Sequence, residues 1–158
     1  MIIREANRSD VKHIVRLNRK LNEYKEILND YYLPKPNSEK MVSNYLTQAL
    51  NFVVTSKNEV LFVAEEKGRI VGYIAGSIED RAPVYQVERR GDILMAFVLD
   101  EYRGHGIGRE LTERIITWFK KKGIEYVELS VDSRNDLGYN VWNSLGFENF
   151  RFRMIKRI

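Results

Sequence analysis

Two periods of apolar residues separate helices from strands along this chain. Apolar residues recur every three or four positions over 11–28 and again over 38–49, which predicts two amphipathic helices. Prolines at positions 34 and 36 lie between them and end the first, because proline resists α-helical geometry. Four short polar residues that precede the two helices are candidate N-caps: Asn7, Ser9, Asp10 and Ser38.

Strands are predicted where short apolar or alternating runs are bounded by turn residues. The run over 92–99 is apolar on both faces, which is typical of a central buried strand. The glycine-containing segment 65–69 predicts a hairpin loop, and the polar segment 79–90 predicts a long connection. The predicted strands are 2–6, 60–64, 70–75, 92–99, 127–131 and the tail from Phe147.

Two further helices complete the predicted element order. One covers 106–122 and ends in three lysines followed by Gly123, which suits the negative end of a helix dipole and a C′ glycine. The other covers 136–145 and stops at Gly146. The order is β-α-α-β-β-β-α-β-α-β, which predicts an α/β (α+β) fold with a mixed sheet flanked by helices.

Composition favours one globular domain over residues 1–158. The chain is 44% apolar and 30% charged, and its length is that of a single domain. Its longest unbroken apolar run, 93–99, is far shorter than the roughly twenty residues of a membrane span. No signal-peptide pattern opens the sequence, so a cytoplasmic protein without a membrane partner is expected.

Charge and cysteine usage narrow the chemistry further. There is no cysteine and there are two histidines, so thiolate chemistry and most zinc sites are excluded, and no metal is expected. The net charge of +4 is compatible with an anionic ligand. Cations in the tail alternate with apolar residues, as on an amphipathic edge strand, and no nucleic-acid partner is expected. These cations are Arg151, Arg153, Lys156 and Arg157.

A glycine-rich turn between the buried strand and the third helix carries the strongest chemical signal. Its glycines let the backbone approach an anion, and the free amides of a first helical turn donate to phosphate oxygens. No Gly-Lys-Ser/Thr follows, so it is not a Walker loop. Tight packing of the helix on the strand is the other interpretation of such a turn.

Two blocks of sequence resemble the GNAT superfamily of N-acetyltransferases. Arg103-x-x-Gly106-x-Gly108 resembles its acyl-CoA signature, and Asn135 followed by 142–147 resembles its second block. The resemblance implies a GNAT fold that uses acetyl-CoA to acetylate a primary amine, of a small molecule or a protein, by direct attack on the thioester. A non-catalytic acyl-CoA-binding or regulatory domain is the alternative.

The resemblance also implies where CoA binds. The pantetheine arm would pair with the strand backbone, where an amide would also polarise the thioester carbonyl. Asn135 matches a position that contacts pantetheine, and it is equally suited to cap the next helix. The strand residues are Ala96, Phe97 and Val98. The pyrophosphate would lie mostly on the backbone of Arg103, Gly104, His105, Gly106, Ile107, Gly108 and Arg109.

Amine acetylation needs a proton acceptor. An alkylammonium with a pKa near 10.4 costs about 4–5 kcal/mol to deprotonate at pH 7. Asp92 matches, in register, the glutamate base of the histone-acetylating branch, although a residue after Gly91 also suits a turn. The alternative carboxylates are Glu79, Glu88 and Asp132.

Two positions depart from family patterns. Trp142 stands where many members have a tyrosine that protonates the leaving thiolate, and indole is no practical acid. Tyr139, on the same helix, is the candidate acid, although packing or loss of an unprotonated thiolate is also compatible. Ser130 stands where the branch that acetylates ribosomal-protein N-termini has glutamate.

The amine acceptor is expected between the first two helices and the 79–90 connection. Aromatic residues there form a candidate wall: Tyr24, Tyr31, Tyr32, Tyr85 and Trp142. Aromatic residues at helical spacing also suit a core. Dimers are common in the family, which makes a homodimer one expected assembly.

Overall fold

Five strands form one mixed sheet in a computed structural model that describes residues 1–158. Neighbouring strands follow the chain order, with β1 to β4 antiparallel and β5 parallel to β4. The predicted α/β class with a mixed sheet is therefore confirmed. The strands are β1 (Ile2–Glu5), β2 (Glu59–Glu66), β3 (Arg69–Asp80), β4 (Arg89–Val98) and β5 (Val127–Leu129).

Helices cover both faces of this sheet. On one face Asn18 donates from Nδ2 to the Tyr73 hydroxyl at 2.8 Å, and on the other Phe119 packs against Gly76 and Gly91. Neither glycine has room for a Cβ, so the second helix layer sits directly on the strands. None of the helices is both long and apolar enough to cross a membrane. The helices are α1 (Val11–Leu28), α2 (Glu39–Val53), α3 (Ile107–Lys121) and α4 (Asp136–Ser144).

The predicted helix starts are partly confirmed. Asn7 caps a 3₁₀ turn that leads into α1: its side chain accepts from the Ser9 amide at 2.8 Å, and the Asp10 carboxylate accepts from the Asn7 amide at 2.9 Å. Ser38 lies at the N-cap position of α2, but its hydroxyl donates to the Lys35 carbonyl at 2.6 Å. Ser38 therefore does not cap the helix through its side chain.

The strands differ from the prediction in length and burial. The β2–β3 hairpin is longer than predicted, because Lys67 and Gly68 alone form its turn, with φ of 49° and 78°. The following connection shortens to 81–88. The most buried strand is β3, in which residues 70–78 are all buried. Strand β4, expected to be a central buried strand, lies inside the sheet between β3 and β5. Strand β4 is only partly buried because β5 pairs with three of its residues.

The tail does not form the predicted last strand. None of the backbone amides from 148 to 158 donates to another backbone group, and a strand needs a paired neighbour. Strand β5, the edge strand beside it, has only three residues. The alternation of apolar and cationic residues is therefore present in the sequence without a ladder to support it. Phe150, Phe152 and Met154 are 79% or more exposed.

Candidate active site

The β5 side of β4 becomes a free strand edge after three residue pairs. Gly91, Asp92 and Ile93 pair with β5, whereas on the other side β4 remains paired with β3 as far as Val98. Leu94 is an extra residue in that second ladder, because Ile93 pairs with Gly76 and Met95 pairs with Ala75. Bulges of this kind bend a strand. The segment 94–98, which includes the predicted Ala96, Phe97 and Val98, can therefore pair with an extended ligand that carries amides.

The glycine-rich turn lies at the C-terminal end of this free edge. Gly104 and Gly106 have φ of 78° and 81°, which glycine adopts without strain, and Gly106 is the N-cap residue of α3. Ile107 is buried and fixes the first turn of the helix to the core. The turn is held in place by the backbone and by one apolar side chain.

Six consecutive amides of the turn, from Gly104 to Arg109, make no hydrogen bond within the chain. A Cβ at Gly104, Gly106 or Gly108 would meet no heavy atom within 4 Å, so the space above these amides is open. Free amides at a helix N-terminus, together with the helix dipole, favour an anion. The geometry fits the phosphate site predicted from the sequence.

The charged side chains of the turn have separate positions. Arg103 donates from Nε to the Val98 carbonyl at 3.1 Å and lies 2.7 Å from Asp100, so it ties the turn to β4. His105 and Arg109 are exposed, and the Arg109 side chain has no partner in the chain. Arg109 is therefore the cation free to meet an anion at this helix end.

Asp92 belongs to a row of polar side chains across four strands. Glu59 pairs with Ser77, Ser77 with Asp92, and Asp92 with Glu128, and directly opposed residues share a face of the sheet. Glu79, two residues beyond Ser77, accepts a hydrogen bond from the Ser77 hydroxyl at 2.8 Å. This carboxylate row places four carboxylates on the α1 face of the sheet: Glu59, Glu79, Asp92 and Glu128.

This surrounding changes the acidity of Asp92. Burial raises the pKa of its carboxyl above the ordinary value, with further increases from Glu128 and Glu79, while Arg90 and Arg151 act in the opposite direction. Arg90 and Arg151 both pair with Glu128, the latter at 2.6 Å. A carboxylate with a raised pKa is a stronger base than an exposed one.

The alternative carboxylates have different surroundings. The backbone amide of Arg134 donates to Asp132 at 2.9 Å and lowers the pKa of its carboxyl, which makes Asp132 a weaker base. Glu79 and Glu88 are exposed. Glu59, which sequence reasoning did not single out, has a pKa raised by burial and by Glu79, and its Oε2 is buried without a partner. Asp92 remains the best-placed base on the free-edge strand.

The model of the acetyltransferase (GNAT) family matches residues 21–147. The chain belongs to the GNAT family. The matched stretch contains the free strand edge, the glycine-rich turn, Asp92 and Asn135, and it covers most of the chain. The resemblance seen in the two sequence blocks is therefore confirmed at the level of the family.

Individual relatives agree with this assignment. An uncharacterized N-acetyltransferase of Methanocaldococcus jannaschii is 36% identical over 104 residues, which cover 61% of this chain and 45% of that protein. The N-alpha-acetyltransferase MAK3 of Arabidopsis thaliana is 29% identical over 128 residues, 79% of this chain and 65% of that one. This GNAT chain thus matches about half to two-thirds of the length of these relatives.

A solved structure has the same fold. A predicted acetyltransferase from Clostridium acetobutylicum, determined with acetyl-CoA, superposes with a TM-score of 0.78 at 23% sequence identity. The match covers 99% of this chain and 95% of that one. At that identity the similarity concerns the fold.

Asn135 has one of its two predicted roles in this GNAT chain. Its Oδ1 accepts from the Gly138 amide at 2.8 Å, which confirms it as the N-cap of α4, and also accepts from the Tyr24 hydroxyl at 3.3 Å. The side-chain amide Nδ2 of Asn135 remains free to donate to a ligand. A Cβ at Gly138 would lie 2.5 Å from that Nδ2, so a larger residue there would displace the Asn135 side chain. Contact with pantetheine stays a prediction.

The two aromatic residues of α4 that bear on acid catalysis, Trp142 and Tyr139, make different contacts. Trp142 is half-buried and packs edge-on against Phe147, with ring centroids 5.4 Å apart. The Tyr139 hydroxyl accepts from Asn149 at 3.2 Å, and the residue is 44% exposed. The hydroxyl that reaches Asn135 comes instead from Tyr24, 111 residues earlier, and no sequence pattern joins the two.

The tyrosines of the expected acceptor wall lie in two connections, one after α1 and one after β3. Tyr31 and Tyr32 are exposed in a 3₁₀ turn after α1, and the pKa of the Tyr32 hydroxyl is raised by burial and by the Asp132 carboxylate. Tyr85 stacks on Arg81 in the 81–88 connection, with 4.4 Å between guanidinium carbon and ring centroid. Tyr85 also lines a cavity of about 440 Å³ beside Arg90, Glu128 and the tail. A common wall formed by these tyrosines stays a prediction.

Proposed function

We propose that this chain transfers the acetyl group of acetyl-CoA to a primary amine, by direct attack of the amine on the thioester. One observation carries the proposal: the free edge of β4 ends in a turn with six unbonded amides, and the same strand bears Asp92. Under this proposal, β4 accepts the proton and pairs with the ligand, and the glycine-rich turn that follows β4 binds the phosphates. The family assignment supports the same chemistry.

The residues present fit an acyl-CoA. The amides from Gly104 to Arg109 and the Arg109 guanidinium would hold the pyrophosphate, since both favour phosphate oxygens. Backbone groups of Ala96 and Val98, which point to the free edge, would pair with the amides of the pantetheine arm, whereas the N–H and C=O of Phe97 point to β3. When bound, acetyl-CoA supplies an activated acyl carbon. A backbone amide of the β4 edge would then donate to the thioester oxygen.

Asp92 is proposed to take a proton from the ammonium of the acceptor, so that the neutral amine can attack the thioester carbon. Its raised pKa reduces the gap to the amine, and its half-buried position limits competition from water. Ser77 and Glu128 lie directly opposite Asp92 on the neighbouring strands and flank it in the carboxylate row. The Tyr24 and Tyr139 hydroxyls are the candidate donors to the departing sulfur. Neither is required, because a thiol with a pKa of about 8.5 leaves readily as a thiolate.

The names of the relatives, and not the geometry of the site, suggest which acceptor amines to test first. The Arabidopsis relative is named an N-alpha-acetyltransferase, as is one from Sulfurisphaera tokodaii, 32% identical over 95 residues. Peptide amino termini therefore come first among the amines to be tested, followed by small diamines and lysine side chains.

Thermal unfolding with acetyl-CoA tests the first half of the proposal, with ATP and NAD as controls. Ligand at about one hundred times its dissociation constant adds about 2.7 kcal/mol to the free energy of unfolding. For a chain of this size that is a Tm rise of roughly 5–10 °C. A rise with acetyl-CoA alone supports the site. No shift at millimolar acetyl-CoA would remove the basis of the proposal.

Thiol release from acetyl-CoA, followed across the amine panel, tests the second half. Release that depends on a particular amine, with acetylated product found by mass spectrometry, supports the transferase. Binding without amine-dependent release would instead favour the alternative, a non-catalytic acyl-CoA-binding domain.

A further inference from the structure

A cationic groove lies between α1 and α2, away from the turn and the carboxylate row. It has a volume of about 440 Å³, and Val11 and Val15 contribute its apolar lining. Serine, threonine and asparagine side chains line its α2 side, at Ser43, Thr47 and Asn51. Cations line its α1 side, at Arg8, Lys12, Arg16 and Arg19. None of these residues belongs to the site proposed for acetyl-CoA.

The four cations have no anionic partner within the chain. None of them takes part in an ion pair, and no carboxylate lines the groove. Arg8 lies in the 3₁₀ turn before α1, whereas Lys12, Arg16 and Arg19, spaced four and three residues apart, share one side of α1, where like charges at i and i+4 are destabilising. An anion bound between them would relieve that repulsion.

The opposite wall offers neutral hydrogen-bond donors. Thr47 donates to the Ser43 carbonyl at 2.8 Å, and Asn51 donates from Nδ2 to the Thr47 carbonyl at 2.9 Å. The Ser43 hydroxyl and the second Nδ2 proton of Asn51 remain free. Hydroxyl and amide donors facing arginine forks are a common arrangement around phosphate groups.

We propose that this groove binds a small anion that carries two or more phosphate groups. Three of the four cations are arginines, whose forked donors match phosphate oxygens better than a lysine does. The volume lies within the roughly 300–1,000 Å³ of small-molecule sites. The lining contains no aromatic residue, whereas single-stranded nucleic acids are bound by stacking their bases on aromatic rings.

Calorimetric titration with inorganic tripolyphosphate tests the groove through matched double variants. Arg16→Gln/Arg19→Gln removes two cations from the groove, and Lys120→Gln/Lys121→Gln removes two from the exposed end of α3. Both double variants lower the net charge equally and leave a polar, uncharged side chain at each position. The arginine pair should weaken binding at least tenfold and the lysine pair less than twofold. Added salt should weaken binding to the unaltered protein.

A third variant separates the groove from the turn. Gly108→Glu places a negative charge in the turn and should leave tripolyphosphate binding in the groove within twofold. This result does not depend on whether the chain is an acetyltransferase. Thermal unfolding of each variant establishes that it is folded, and the arginine variant should be no less stable because like charges are removed.

Three results would overturn the proposal. Equal weakening in both double variants would mean that net charge alone attracts the anion. Loss of binding in Gly108→Glu would place tripolyphosphate at the turn. Tighter binding of an oligouridine than of tripolyphosphate, abolished by the arginine variant, would identify a nucleic-acid surface instead of a small-molecule site.

Discussion

The glycine-rich turn and the carboxylate row are built in opposite ways. The turn uses amides that follow one another in sequence, from Gly104 to Arg109, and its side chains contribute one free cation. The row uses side chains from four strands, and Glu59 and Glu128 at its ends lie far apart in sequence. Backbone groups are present whatever the residue, so a binding site made of them depends on conformation. A site made of side chains depends on register.

This difference predicts different responses to mutation. A substitution in the turn acts by blocking or repelling the ligand, and the fold should be unaffected. A substitution in the row changes a titrating group, so activity, pH dependence and stability should change together. Two substitutions test the contrast and a third tests a contact outside both regions, in decreasing order of expected effect.

Gly108→Glu should weaken acetyl-CoA binding at least a hundredfold without lowering Tm. A Cβ at this position has open space around it, and a carboxylate in the first helical turn interacts favourably with the dipole by about 0.3–1 kcal/mol. The same carboxylate repels phosphate. Gly106 is less suitable, because its φ of 81° would strain any other residue.

Calorimetric titration of acetyl-CoA measures the effect of Gly108→Glu. Gln48→Glu, on the exposed side of α2, is the matched control because it adds the same charge elsewhere. An unchanged dissociation constant in folded Gly108→Glu would show that the turn does not hold the cofactor.

Asp92→Asn should lower kcat by about 10²–10⁴, the usual contribution of a general base. In the unaltered protein activity should fall as pH drops through the raised pKa of Asp92, because the base becomes protonated. The variant should lose that limb of the profile. Glu88→Gln, an exposed carboxylate of the 81–88 connection, is the control and should retain both kcat and profile. Unaltered kinetics in Asp92→Asn would move the base elsewhere.

Ionisation of Asp92 should also lower the free energy of unfolding as the pH rises. A carboxyl whose pKa is higher in the folded than in the unfolded chain contributes stability below its unfolded pKa, and that contribution is lost as pH rises through the folded pKa. Asparagine does not ionise. Asp92→Asn should therefore raise Tm more at pH 8 than at pH 4. Thermal unfolding of both proteins at the two pH values measures the difference.

Tyr24→Phe should have the smallest effect, about fivefold on the KM for acetyl-CoA. It removes one hydrogen bond to Asn135, with a net contribution of roughly 1 kcal/mol, while the bond from Gly138 remains. Tyr139→Phe is the matched variant and should change KM and kcat less than twofold, because its hydroxyl bonds to exposed Asn149. A larger fall of kcat in Tyr139→Phe would identify Tyr139 as the proton donor expected from the sequence.

Local features were predictable, and contacts between distant segments were not. The turn could be located because its glycines, the helix start and the preceding apolar strand are contiguous. The Asn135 cap was predictable for the same reason. The contact of Tyr24 with Asn135 spans 111 residues and has no local signature. The position of Glu59 in the row required the β2–β3 register.

The tail shows why periodicity alone is insufficient. Alternation over the last residues predicts a strand, but a strand forms only where a neighbour supplies backbone partners. Strand β5 ends at Leu129 and leaves little edge to pair with. The homodimer, the cytoplasmic location and the absence of a nucleic-acid partner remain predictions.

The contact of Phe119 with two strand glycines has a kinetic consequence for ligand binding. Cβ atoms at Gly91 and Gly76 would lie 2.7 and 2.9 Å from its ring, so the ring packs directly on the strand backbone and fixes this end of α3 to the sheet. The amides at the other end of the helix are consequently preorganised, and little conformational entropy is lost when they bind. Association should then proceed without a slow rearrangement, and variants of the turn should differ mainly in their dissociation rates.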